Sequence, residues 1–247
     1  MNTVKFDKGN VLMIAHRGLS GIETENTNSA FVAAGNRSYF GIETDIHVTP
    51  DEKFIVIHDE LTVRVCDTVV NVEETPYDKL RELRLRNIAK YDEAELCKND
   101  VRGDILLPSL AEYVGICRKY EKKCILELKR RFETKHIEKV VEELKELNYI
   151  ENVVFISFEF ENLVDLRALL PDAEIQYLVY DFDEDVREKL NKYNFELDIK
   201  HTALTPDVID TVHSDGHRVN CWTVDKREDG ERLAAWGVDY ITTNILE

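Results

Sequence analysis

The chain has 247 residues, 43% of them apolar and 33% charged, which is enough for a substantial core and too apolar for a disordered segment. Acidic side chains number 49 against 32 basic ones, leaving a formal net charge of −17. Such a balance repels nucleic acid and anionic lipid surfaces at long range, so a partner of either kind is not expected and an anionic ligand must find its cations locally.

Short apolar runs at 11–15, 42–48, 54–57, 124–128, 153–156, 175–179, 195–199, 219–224 and 238–242 are bounded by polar residues and read as buried strands. Helical signals lie between them. Ser109 with Glu112 forms a capping box opening a helix over 110–120. Ile137, Val140, Val141, Leu144 and Leu147 fall on one helical face. Thr205 ahead of Pro206 is a cap followed by an N1 proline. Asp225 with Glu228 reads as a second box ahead of Leu233, and Gly237 as a helix stop.

Nine strands are one more than a closed (β/α)₈ barrel needs. Runs 42–48 and 54–57 are too close for a parallel crossover and are expected to form an antiparallel hairpin. Removing the return strand leaves eight parallel strands, so the expected fold is a TIM barrel with one extra hairpin strand, all within a single domain. No GxGxxG follows the first strand to favour an open sheet. Residues 60–107, with an amphipathic stretch at 80–85, break the alternation. They read as an insertion, either a wall or lid over the site or a peripheral excursion.

Active sites of such barrels lie at the C-terminal strand ends. The first strand ends in His16-Arg17-Gly18. In the second, Glu43, Asp45 and His47 share one face. An exposed strand would show the same pattern as its wet side, but a barrel strand must turn these acids inward, where they repel one another unless a cation intervenes. A turn over 50–53 pairs Thr49 with Phe54 and sets His58 opposite Asp45. The next strand ends in Glu127-Leu128-Lys129, either a site pair or a structural ion pair. Three carboxylates favour a hard divalent cation, Mg²⁺ or Ca²⁺. Two histidines suit acid–base work near neutral pH, and Arg17 with Lys129 suits a phosphate oxygen. The combination points to phosphodiester cleavage.

These residues resemble the glycerophosphodiester phosphodiesterases, a (β/α)₈ barrel family. The matching pieces are HRG at 16–18, ENT at 25–27, ETD at 43–45, HD at 58–59, PSL at 108–110, LELK at 126–129, WTV at 222–224 and GVDYITTN at 237–244, in the family's order over nearly the whole chain. The resemblance implies Glu43, Asp45 and Glu127 as metal ligands and His16 and His58 as the acid–base pair; the sequence does not fix which of the two is the base, and His16 as base with His58 as acid is the working assignment. It implies Arg17 and Lys129 as phosphate contacts, Asn26 as support for the first loop and Trp222 at the substrate rim. Two departures stand out. Thr24 replaces the usual proline before ENT, and Thr243-Asn244-Ile245 replaces TD followed by proline. Neither touches an expected ligand.

The implied activity is metal-dependent hydrolysis of a small glycerophosphodiester to an alcohol and glycerol 3-phosphate, through a cyclic phosphate or by direct attack of water. Two rivals are a lysophospholipase D or sphingolipid phosphodiesterase of the same barrel class, favoured by an apolar surface within 60–107, and a barrel that binds without turnover. The N-terminus lacks a signal-peptide pattern, and no apolar run is long enough to span a bilayer. With no CxxC among Cys66, Cys97, Cys117, Cys124 and Cys221, reduced thiols and a cytoplasmic location are expected.

Overall fold

The structure, a computed structural model, describes residues 2–87 and 104–247; Cys97 and the centre of the 60–107 insertion lie outside the described residues. Strands β1 (Leu12–Ala15), β2 (Gly41–Val48), β4 (Lys123–Leu128), β5 (Val153–Ser157), β6 (Glu174–Val179), β7 (Glu196–Lys200), β8 (Val219–Trp222) and β9 (Tyr240–Thr243) are all parallel. They close through β1, which pairs with both β9 and β2. The antiparallel ninth strand, β3 (Phe54–Val56), lies along β2. Helices α1 (Asn28–Gly35), α3 (Leu110–Lys119), α4 (Thr134–Glu146), α5 (Phe160–Leu169), α6 (Glu184–Tyr193), α7 (Pro206–Ser214) and α8 (Arg227–Trp236) connect the barrel strands, and α2 (Tyr77–Glu82) lies in the insertion.

Strand alternation divides the core in two. Ile42, Ile46, Leu126 and Leu128 face outward, into the large cluster between the strands and their helices. Ile14, Ile125, Val154, Ile156, Leu178 and Tyr240 form a separate apolar cluster. Glu43, Asp45 and Glu127 therefore stand on the inward faces of β2 and β4, and Asp45 is in register with Glu127. They are not a wet strand surface: all three are buried.

Most helix signals appear as expected. Ser109 and Glu112 make the reciprocal capping box of α3, Thr205 caps α7 with Pro206 following, and Gly237 ends α8 at φ 89°. The Asp225–Glu228 box does not form. Lys226 is the N-cap of α8, without a side-chain bond, because Asp225 is committed to Asn244: it accepts from the backbone N–H at 2.9 Å and from Nδ2 at 2.7 Å.

The hairpin register also differs by one residue. Val48, not Thr49, pairs with Phe54, and Ile46 pairs with Val56. Thr49 instead belongs to the turn, where its N–H bonds the carbonyl of Lys53 at 2.9 Å. Asp45 thus lies beside Ile57, whose N–H donates to the Asp45 carbonyl at 3.1 Å, and His58 follows beyond the ladder. Short β1 covers only Gly41 and Ile42 of β2, which leaves the upper part of that edge to β3. The return strand descends that edge and delivers His58 to the barrel mouth.

The described part of the insertion has its own small core, in which Ile55 and Ile57 meet Val65, Val72, Leu80, Leu85 and Leu107. It is anchored on the hairpin by apolar burial rather than only looped over it. Among the described residues no helix is long and apolar enough to cross a membrane, and Cys66, Cys117, Cys124 and Cys221 are buried free thiols.

Candidate active site

The turn after β1 opens the site. Arg17 is left-handed, with φ 54°, a costly conformation for a bulky residue. Its N–H donates to Glu43 Oε2 at 2.7 Å, which holds that turn against the acid cluster. Gly18 follows at φ 75°, and a Cβ there would lie 2.7 Å from the backbone of Ala30. Glycine is required at this position both by conformation and by space.

Glu43, Asp45 and Glu127 each offer an oxygen within 4.8 Å of the other two. Glu43 Oε1 and Asp45 Oδ1 are buried and have no hydrogen-bond partner. Burial, then the charges of Asp45 and Glu127, raise the Glu43 carboxyl well above its ordinary range. Burial and then Asp45 push Glu127 up to about 8, against the pull of Lys129. Burial acts to raise Asp45 as well, but Lys129 and Arg17, then His58, overbalance it and hold it low. Orphaned buried oxygens and carboxyls forced toward neutrality fit a hard cation taken by three oxygen donors.

The two expected phosphate contacts are already engaged with acids. Lys129 Nζ lies 2.7 Å from Glu127 Oε1 and 3.5 Å from Asp45 Oδ1. Arg17 donates through NH1 to Glu25 Oε1 at 2.8 Å, and its Nε lies 3.5 Å from Asp45 Oδ2. Asn26, also left-handed at φ 51°, donates to Asp45 Oδ2 at 2.8 Å and accepts from Thr44 Oγ1 at 2.7 Å. It thus orients an acid as well as supporting its loop.

Each histidine has a backing group. His16 Nδ1 lies 2.8 Å from Asn244 Oδ1, an oxygen that also accepts from Ser20 Oγ at 2.6 Å. The amide oxygen can only accept, so His16 carries its proton on Nδ1 and turns Nε2 toward Glu43 Oε2, 4.0 Å away. Neither sequence departure falls on an expected metal ligand, yet Asn244, beyond the last strand, touches His16 directly. His58 Nδ1 lies 2.6 Å from Asp59 Oδ1. Burial lowers the His58 imidazole, with Arg17 and Lys129 adding to that and Asp45 and Asp59 opposing it.

Several contacts of this constellation were not foreseen from sequence. Arg64, in the insertion, donates to both oxygens of Glu25 at 2.6 and 2.8 Å and to Asp59 Oδ2 at 2.6 Å. It clamps the backing group of His58 to the partner of Arg17. His47, buried, lies 3.1 Å from the carbonyl of His58 and 2.9 Å from Glu73, bracing the segment that carries His58. Thr24 donates to the Arg86 carbonyl at 3.0 Å, so the residue that replaces proline ties the first loop to the insertion. No spacing rule signals these pairs: Arg64 with Glu25 and Thr24 with Arg86 join distant segments, and Arg64 with Asp59 and His47 with His58 meet through irregular backbone that has no fixed period.

The seven expected site residues other than Asn26 and Asp45 line one cavity of about 260 Å³, whose opposite wall is Ile156, Phe158, Leu178, Tyr180, Asp198 and Trp222. That is near the lower end of ligand pockets and suits a small molecule. Trp222 meets Phe158 and Tyr180 edge-on at 5.5 and 5.6 Å. Tyr180 is 60% exposed, so these rings form the outer rim, and Trp222 is both rim and packed. Phe158 and Tyr180 sit directly after β5 and β6, a strand-end position that could have drawn attention to them.

Residues 16–247 match the model of the glycerophosphoryl diester phosphodiesterase family. A glycerophosphodiester phosphodiesterase of Caldanaerobacter subterraneus is 29% identical over 239 residues, covering 96% of this chain and 95% of the relative. The solved structure of an Oleispira antarctica phosphodiesterase in complex with the product sn-glycerol-3-phosphate is similar with a TM-score of 0.83 at 24% identity, covering 94% of this chain and 92% of that one. A glycerophosphodiester phosphodiesterase from Parabacteroides distasonis has a TM-score of 0.77 at 26% identity, with 95% and 93% covered.

Proposed function

The chain belongs to the glycerophosphoryl diester phosphodiesterase family, and from that premise we propose that it hydrolyses glycerophosphodiesters to an alcohol and sn-glycerol 3-phosphate, as one cytoplasmic catalytic domain. The observation that carries this reading is the meeting of three buried carboxylates with two imidazoles, Arg17 and Lys129 at one barrel mouth. Glu43, Asp45 and Glu127 would hold one divalent cation, Mg²⁺ or Ca²⁺, which supplies Lewis acidity toward a phosphate oxygen.

In this scheme Arg17 and Lys129 orient the phosphate and offset charge that grows on its oxygens. His16, backed by a neutral amide, accepts the proton of the attacking oxygen at Nε2. His58, oriented at Nδ1 by the Asp59 carboxylate and made more acidic by burial, passes a proton to the leaving alcohol. The neighbouring glycerol hydroxyl is the first nucleophile, and water then opens a cyclic phosphate. Direct attack by water would produce no cyclic species, so product analysis during turnover separates the two courses.

One observation favours a lipid substrate: Leu61, Val63 and Val69 of the insertion are exposed apolar side chains. The test is release of glycerol 3-phosphate from glycerophosphocholine and from lysophosphatidylcholine, with EDTA and with metal restored. Metal-dependent release from the first supports the proposal. Release only from the second moves the enzyme to the lysophospholipase D class, and no turnover of either sinks the enzymatic reading.

A further inference from the structure

Across the cavity from the acid cluster stands a carboxyl that the scheme above does not use. Asp198 lies on β7, four strands from β2 by either route around the barrel. It is 1% exposed, lines the same cavity as His16, Arg17 and Lys129, and its Oδ1 has no hydrogen-bond partner. Asn220, beside it on β8, reaches the carboxyl and also donates to Gln176 Oε1 at 2.9 Å and accepts from Thr242 Oγ1 at 3.2 Å, yet Asp198 Oδ1 is left over. A buried carboxyl oxygen that nothing in the fold satisfies carries a standing desolvation cost, which a ligand hydroxyl would relieve.

We propose that Asp198 holds an unacylated hydroxyl of the substrate's glycerol moiety, and so selects deacylated glycerophosphodiesters over lysophospholipids. This rests on the function proposed above and deepens it. With the phosphate at the cationic side, the two ends of a diester have two places to go. The aromatic rim around exposed Tyr180 opens to solvent and admits varied alcohols. The enclosed wall of Ile156, Leu178 and Asp198 takes the constant part, glycerol. An acyl chain on that glycerol would run into this wall and leave Asp198 without a partner. Burial, then the charge of Glu127, raises the Asp198 carboxyl above its usual range against a hydrogen bond from Asn220; protonated or ionised, its oxygen accepts from a hydroxyl, which a quaternary ammonium cannot offer.

The test compares binding of sn-glycerol 3-phosphate with ethyl phosphate, which lacks the hydroxyls, by calorimetry with divalent metal present. The wild-type protein should prefer glycerol 3-phosphate by roughly tenfold or more, the worth of one or two hydrogen bonds. Asp198→Ala, or Asp198→Val where filling the space is needed for folding, should bring the ratio near one, and Asp198→Asn should keep most of it. In turnover, the apolar variants should lose chiefly in KM on glycerophosphocholine. Their preference for it over a short-chain lysophosphatidylcholine should fall with the binding ratio. An unchanged ratio in the folded apolar variants, or no preference in the wild-type protein, overturns the assignment. A wild-type protein that shows the binding preference but no turnover contradicts the proposed function and not the role of Asp198.

Discussion

His16 Nδ1 and Asn244 Oδ1 lie 2.8 Å apart although 228 residues separate them in the chain. Behind Asn244, Asp225 accepts from its Nδ2 at 2.7 Å, which fixes the amide with its oxygen toward the ring. The first barrel strand and the residues after the last one thus set the tautomer of one proposed catalytic group. Asn244→Ala should lower kcat about tenfold with little change in KM, because proton transfer suffers more than binding. Asn244→Asp should retain much of the activity. A loss confined to KM in the alanine variant would contradict this role.

The second imidazole has a different support. Asp59→Asn removes the carboxylate that backs His58, and Arg64→Ala releases Asp59 and Glu25 together. The expected order of kcat loss is His58→Ala greatest, at about 10²-fold or more, then Asp59→Asn, then Arg64→Ala. His16→Ala should match His58→Ala. Melting temperatures should separate catalysis from folding: the histidine variants should melt close to the wild-type protein, since neither imidazole belongs to an apolar cluster. Wild-type turnover in either histidine variant would refute the pair.

Metal binding should be proton-linked. Without a cation, Glu127 titrates near 8 in the fold against an ordinary value of 4.5. Its contribution to stability is therefore complete below 4.5 and is lost as pH rises toward about 8. A divalent ion replaces the proton, so added Mg²⁺ or Ca²⁺ should raise the melting temperature more at about pH 8 than at about pH 5, with proton release on binding. Glu127→Gln should remove most of this pH dependence. A thermal shift independent of pH in the wild-type protein would count against these carboxyls as ligands.

Glu25 behaves in the opposite sense. Burial works to raise it, but Arg17 and Arg64 overcome that and hold it at about 2 against an ordinary 4.5. The stabilisation it gives is complete above 4.5 and fades as pH falls toward 2. After allowance for partial solvent screening, Glu25→Gln should cost about 2 kcal/mol at neutral pH and much less near pH 2. Urea unfolding across this range checks it; an equal cost at both ends would assign the loss to packing.

The barrel was legible because burial leaves a simple record: apolar strand runs, spaced by helices with caps such as Ser109 and Thr205. The acids were legible for a related reason, since Glu43, Asp45 and Glu127 interrupt runs that should be apolar. The hairpin register was not, because Thr49 could serve as strand or turn, and its hydroxyl and N–H settle it in the turn. His58 arrived at the site all the same, by leaving the ladder. Asp225 misled because a helix-cap carboxylate and a tertiary acceptor look alike until Asn244 is brought beside it. Asn244 and Asp198 gain meaning only from closure of the barrel, and Arg64 only from the insertion packing against the first loop, neither of which a local pattern encodes.

The most direct measurement is release of glycerol 3-phosphate from glycerophosphocholine by the wild-type protein and by Glu127→Gln, in EDTA and after Mg²⁺ or Ca²⁺ is restored. The account predicts wild-type activity that EDTA abolishes and metal restores, with metal-restored Glu127→Gln about 10²-fold or more below the metal-restored wild-type protein. Full activity in EDTA, or a Glu127→Gln variant that matches the wild-type protein with metal, would contradict it.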